Sequence, residues 1–295
     1  LVKKMSKLCS SENVLNIQLP HIRLSARKWG DPNKPILLAL HGWLDNANSF
    51  EQMAELINDH QVIAIDWPGH GDSQHRQTGY PLHLMDYVFD LELLISHFSE
   101  TLNMRVAGLI GHSFGGIIAA IFASQFSHQI DKLILIESIT PLFEPESLAG
   151  SRLQESIEQH KKQLRLSKNQ KYYSSVQNVA KVRAKVTDLD YQNCERIVHR
   201  NLFKTTRGYC WKTDPKLMLS SPWRLSLAQV RNIVSNISVP TLIIVGNKSV
   251  SSDQKKPIEL DEIFISYQVK TLLGGHHVHM ENVEATASAI NDFVK

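Results

Sequence analysis

Ser113 stands in Gly111-His112-Ser113-Phe114-Gly115, inside the uncharged run GLIGHSFGGIIAAIFA from Gly108 to Ala123. The pattern is G-x-S-x-G, and its spacing has a physical reason. A serine at a very tight strand-to-helix turn has a strained backbone, and side chains two residues away on either side would collide. Glycines remove that collision. In return Oγ stands clear at the sheet edge, at the start of a helix. There the backbone N–H groups and the helix dipole favour developing negative charge. A serine so placed is a nucleophile for acyl transfer. The same residues would also suit a helix N-cap serine packed between glycines. The strand expected before the motif and the helix expected after it favour the nucleophile.

Such a turn needs elements to hold it. ILLALH (36–41), QVIAID (61–66), VAGLIGH (106–112), KLILIE (132–137) and TLIIVG (241–246) are short apolar runs of the kind found in strands buried on both faces. Helical patterns lie between them. Ser49 to Ile57 is apolar at Phe50, Met53, Ala54 and Ile57. Leu84 to Phe98 carries Tyr87, Val88, Leu91, Leu94, Ile95 and Phe98 on one stripe. This alternation predicts an α/β fold, a mostly parallel sheet with helices on both faces. VLNIQL and HIRLSARKWG read as an antiparallel pair at one edge, with Gly30-Asp31-Pro32 as the following turn.

Pro141 to Arg231 breaks the rhythm, being polar, mostly helical in pattern and poor in strand runs. The sequence therefore predicts a core domain of residues 1–140 and 232–295 and a helical cap (lid) domain of 141–231 over the C-terminal edge of the sheet, where open α/β sheets place ligands. The cap carries 17 Lys and Arg against 8 Asp and Glu. If that excess faces the pocket, anionic acyl substrates are favoured; the alternative is a solvated helical surface.

The chain has 295 residues, 42% of them hydrophobic, with a formal charge of +3 and a mean hydropathy of −0.20. That is ordinary for a soluble protein, and the charge is too small to indicate a nucleic-acid or membrane partner. Val106 to Ala123 approaches membrane-spanning length and includes the GxxxG pair Gly111 and Gly115, yet its first half reads as a strand and His112 and Ser113 fall at its centre. Cys9, Cys194 and Cys210 build neither a disulfide framework nor a CxxC site, which favours a cytoplasmic location. LVKKMSKLCSSEN has no apolar segment behind its basic residues and does not read as a signal peptide.

Together with HGWLDN (41–46), DWPGHGDS (66–73) and GHHVHMEN (275–282), the serine motif makes nearly the whole chain resemble an α/β-hydrolase. HGWLDNANSF with IDWPGHGDS is most similar to the serine hydrolase-like branch. The resemblance implies a sheet of about eight strands, a cap and a Ser–acid–His triad. It places one oxyanion donor at the backbone N–H of Trp43, pairing with that of Phe114. His41, Gly42 and His112 are then expected at the substrate pocket, with the Trp43 indole either walling it or packed in the core. Asp66 and His70 read as structural, shaping the loop. His276, His277 and His279 compete as the general base. The family's glycine–histidine pair maps onto Gly275-His276, making His276 the choice and His277 the alternative. The His-x-His spacing raises a metal, but no acidic or cysteine partner has a matching local spacing, so neither metal nor organic cofactor is expected.

The acid departs from the commoner pattern. Many relatives carry it in a G-x-x-D turn after the strand corresponding to TLIIVG, whereas this chain has Gly246-Asn247-Lys248-Ser249. Asp253 follows four residues later. A second arrangement in the superfamily puts a glutamate at the end of the preceding core strand, and Glu137 ends KLILIE. Glu137 is preferred, with Asp253 the alternative acid; either keeps the order Ser, acid, His. The expected reaction is hydrolysis of small carboxylic esters through an acyl-enzyme, with Ser113, His276 and Glu137 as the catalytic residues. The rival is a non-catalytic ligand- or partner-binding protein on the same fold.

Overall fold

A computed structural model describes residues 13–77, 79–166, 171–249 and 258–295. Eight strands form one sheet: β1 (Val14–Gln18), β2 (Arg23–Trp29), β3 (Ile36–Leu40), β4 (Gln61–Ile65), β5 (Val106–His112), β6 (Lys132–Ile136), β9 (Thr241–Gly246) and β10 (Tyr267–Leu272). A two-stranded hairpin, β7 (Leu202–Thr205) and β8 (Gly208–Trp211), lies apart from it. The sheet order is β1-β2-β4-β3-β5-β6-β9-β10. β1 to β2 and β2 to β4 are antiparallel; all other neighbours are parallel.

The apolar runs are continuous because both faces of the sheet are covered. Leu38, Leu40, Leu109, Leu133 and Leu135 point into one core layer, while Leu37, Ala39, Ile110, Ile134 and Ile136 point into the other. Each fully buried Leu or Ile contributes about 1.5–3 kcal/mol. α1 (Glu51–Ala54), α2 (Leu84–Ser96) and α3 (Phe114–Gln125) come from the first half of the chain. α2 and α3 cover the first layer through Tyr87, Leu91, Leu94, Ile118, Ile121 and Phe122.

Between β6 and β9 run α4 (Ala149–Leu166), α5 (Val176–Val186), α6 (Tyr191–Asn201), the hairpin and α7 (Leu227–Ile233). α5 and α6 build a small core of their own around Val179, Ala180, Ile197 and Val198, closed by Met280 from the far end of the chain. α7 straddles the expected boundary at 231 and packs Val230 on the main core. The chain ends with α8 (Leu260–Ile263), α9 (Val278–Glu281) and α10 (Val283–Val294). Among the described residues no helix is long and apolar enough to cross a membrane. Val106 to Ala123 is instead a strand, a turn and a helix.

Two elements escape the sequence patterns. β10 is an edge strand whose residues are mostly exposed, so YQVKTL needs no apolar run. The β7–β8 hairpin is short and only half covered. The expected helix from Ser49 to Ile57 is a 3₁₀ turn over Ala47–Phe50 continued by α1, so its regular part is shorter.

Candidate active site

β5 pairs with β6 in register, His112 opposite Ile136, and β6 with β9, Ile136 opposite Ile244. Three strand ends therefore coincide at one sheet edge. Ser113 follows β5 with φ 49° and ψ −113°, a backbone region costly for a side chain-bearing residue. Its N–H donates to the Ile136 carbonyl at 2.9 Å, tying the turn to β6. A Cβ at Gly115 would lie 2.0 Å from the Leu40 carbonyl oxygen, and one at Gly111 would lie 2.5 Å from Gly116 Cα. Both glycines are thus required by space.

His276 Nε2 lies 3.0 Å from Ser113 Oγ. On the other side of the ring, Nδ1 lies 3.4 Å from Glu137 Oε2. Glu137 directly follows β6 with φ 54°, and its backbone N–H donates to Ile244. Its buried carboxylate accepts from the Gly246 N–H and the Ser249 hydroxyl, each at 2.5 Å. Ser249, standing where the resemblance leads one to expect an aspartate, thus holds the glutamate that faces the histidine. Asp253 lies outside the described residues. Gly275 N–H donates to Glu281 at 3.0 Å, bracing the loop that carries His276.

The other late histidines go elsewhere. His277 Nε2 contacts Asp45 Oδ2 at 3.2 Å, and His279 is fully buried against His112 and Phe50. His112 borders the cavity over Ser113 as a buried strut: its Nε2–H donates to the His276 carbonyl at 2.9 Å. Burial lowers its pKa to about 4. Burial would raise the Asp45 carboxyl; the neighbouring His277 and Arg183 outweigh it and hold the group well below its usual range. Arg183 Nη2 donates to Asp45 Oδ1 at 2.7 Å. Asp45 and Arg183 were missed because neither has a partner nearby in sequence.

His41 does not line the pocket. It is wholly buried, its Nε2 accepting from Trp67 N–H at 3.0 Å and its Nδ1–H donating to the Gly42 carbonyl at 2.7 Å. It shapes the loop because both ring nitrogens are engaged by backbone. Asp66 accepts from Ala47 and Asp72 amides and from Arg200 of α6, and His70 accepts from Leu44 N–H. Trp43 and Phe114 stack edge to face, centroids 4.7 Å apart, and Trp43 lines the same cavity as Ser113. Phe114 is the first residue of α3, where an amide has no intrahelical partner.

A cavity of about 800 Å³ opens over Ser113 and His276. Gly42 and Trp43 line it from the core, and Val179, Val182, Val186 and Trp211 from the segment between β6 and β9. Among the described residues, Arg183 is the one basic residue of that segment on the cavity wall, and it is paired with Asp45. Among the described residues, the basic excess of 141–231 therefore does not face the cavity; amphipathic helices bury only their apolar stripe.

A family model described as the alpha/beta hydrolase fold matches residues 35–283. A serine hydrolase-like protein of Danio rerio is 26% identical, covering 94% of this chain and 86% of the relative. One of Dictyostelium discoideum is 30% identical over 92% of this chain and 79% of its own. The crystal structure of a hypothetical protein from Pseudomonas aeruginosa PAO1 superposes with a TM-score of 0.84 and 31% identity, covering 95% of this chain and 97% of that one. The matched residues 35–283 include the serine turn and the late histidine, and the chain belongs to the α/β-hydrolase family.

Proposed function

We propose that the protein is a serine hydrolase that cleaves carboxylic esters of small molecules through an acyl-enzyme. The observation that carries this reading is the chain of contacts from Ser113 Oγ to His276 Nε2 at 3.0 Å and from His276 Nδ1 to Glu137 at 3.4 Å. Nδ1–H directed at Glu137 leaves Nε2 with a lone pair, which takes the hydroxyl proton as Oγ attacks the ester carbonyl. The tetrahedral oxyanion is received by the backbone N–H groups of Trp43 and Phe114, each typically worth about 10²–10³ in rate. Nε2–H then protonates the leaving alcohol. Water repeats the sequence on the acyl-serine, which releases the acid and restores Ser113.

The valine stripe and two tryptophans of the cavity suit a neutral, apolar acyl or alcohol group. The non-catalytic alternative drew its support from the missing aspartate at 249, and Glu137 weighs against it. Labelling with a fluorophosphonate probe tests the reading, because only an activated serine reacts quickly. Rapid labelling of the wild type and none of Ser113→Ala is expected. A wild type that resists the probe would leave the ligand-binding reading in its place.

A further inference from the structure

Hydrolysis leaves unused a group of side chains beside His276. Asp45 from the loop after β3, His112 at the end of β5 and His277 after β10 each bring one ligand atom within 4.8 Å of the others. Asp45 Oδ2 lies 3.2 Å from His277 Nε2 and 3.6 Å from His112 Nδ1. A tetrahedral site with bonds of 2.0–2.1 Å separates its ligand atoms by about 3.3 Å. The first two edges already match, and the third, His112 Nδ1 to His277 Nε2, is at most 4.8 Å.

The hydrogen bonding of His112 points to a cation. Its Nε2 faces a carbonyl oxygen, which only accepts, so Nε2 carries the hydrogen and Nδ1 a lone pair. That lone pair faces a carboxylate oxygen, and Nδ1 has no hydrogen-bond partner among the described residues. Two acceptors turned toward each other in a buried setting repel unless a positive centre lies between them. Metal-binding histidines commonly give their other N–H to a backbone carbonyl, as His112 does. Gly42 keeps the corner open: a Cβ there would stand 2.8 Å from His112 Nδ1 and 3.2 Å from Asp45 Oδ2. Arg183 occupies Oδ1, and Oδ2 faces His277 Nε2 at 3.2 Å, the two atoms that would share a ligand.

We propose that Asp45 Oδ2, His112 Nδ1 and His277 Nε2 bind a divalent transition metal of the zinc type, with its fourth position open to the cavity. Two imidazoles and one carboxylate suit zinc, cobalt and copper rather than magnesium or calcium. On binding, His277 carries its hydrogen on Nδ1, freeing Nε2 for the metal. The rings of His112 and His277 lie 5.0 and 5.4 Å from that of His276, centroid to centroid. On the hydrolase reading above, an ion there opposes formation of the His276 imidazolium and inhibits the enzyme reversibly. The metal site itself does not rest on that reading.

Cobalt(II) titration of the Ser113→Ala protein tests the site without any chemistry at the serine. The expected result is one equivalent of cobalt with intense visible absorption of a tetrahedral ion, displaced by zinc. His277→Gln and Asp45→Asn should each weaken zinc binding about 100-fold or more, since outer-shell losses alone cost 10–100-fold. His276→Gln should bind as before. Absence of saturable binding overturns the proposal, as does binding that survives His277→Gln and disappears in His276→Gln. Should Asp45→Asn not fold, the partly accessible His277 variant decides alone. Metal-bound protein with no esterase activity in any condition would overturn the hydrolase reading and leave the site standing.

Discussion

Glu137 Oε2 lies 3.4 Å from His276 Nδ1, and the same carboxylate takes hydrogen bonds from Gly246 and Ser249. The acid is thus held on three sides at the end of a core strand, on a backbone with φ 54° that the register of β6 and β9 enforces. A carboxylate so fixed orients the imidazole better than one on a loop. Glu137→Gln should lower kcat by up to about 10⁴-fold, the cost of losing the orienting carboxylate elsewhere, while Asp253→Asn should change it little. Steady-state kinetics on a chromogenic ester checks the ranking, and the reverse order would reassign the acid.

Ser113→Ala should remove turnover of the same ester by at least about 10⁴-fold, because serine and histidine act as a unit. Circular dichroism and thermal unfolding should match the wild type. Most of the activity surviving would place the nucleophile elsewhere.

Substrate preference follows from the wall of the cavity. Each added acyl methylene that the valine stripe buries contributes about 0.8 kcal/mol, about fourfold in kcat/KM, until the cavity is filled. With Arg183 neutralised by Asp45, neutral and anionic esters should respond alike to added salt. A panel of acyl chain lengths at two ionic strengths measures both, and a strong salt effect confined to anionic esters would return the basic excess to the pocket.

Arg200 of α6 and Asp66 of the core form a buried ion pair, Nη2 to Oδ2 2.7 Å, which ties the segment between β6 and β9 to the sheet. Asp66→Asn leaves the buried guanidinium with Asp72, 3.3 Å from Nη1, as its remaining carboxylate and should cost about 3 kcal/mol in urea unfolding, the lower end for a broken buried pair. A loss below about 1 kcal/mol would show the pair to be dispensable.

Burial lowers the pKa of His41 to about 4 and that of His70 to about 3. Between pH 6.5 and 4 the unfolded chain takes up a proton at each ring that the folded chain refuses. Stability should therefore fall as pH drops through this window, by about 1.4 kcal/mol per unit for each ring. The His41 share levels off below about pH 4, that of His70 below about 3. Unfolding free energies from pH 7 to 4 test the sign; a flat profile would mean that the rings are charged in the folded state.

What was legible in the sequence is local. G-x-S-x-G states its own geometry, because the collisions that demand Gly111 and Gly115 arise within one turn and against the next strand. The parallel strands were readable because burial on both faces leaves unbroken apolar runs, and Gly275-His276 because the family resemblance marks that turn. β10 was not, since an edge strand needs no such run. Nor could local spacing find the acid partner of the late histidines: Asp45 meets His277 and His112 only when β3 lies beside β5 and the loop after β10 returns over both. His41, too, reads as a pocket residue until Trp67 N–H is found on its ring. A side chain's partners are chosen by whatever the fold brings within about 3 Å, and hydrogen bonds at that range carry no trace in the spacing of a chain. Backbone conformation and burial are thus written along the sequence, while the partners of Asp45 and Ser249 were decided by the sheet edge at which distant loops converge.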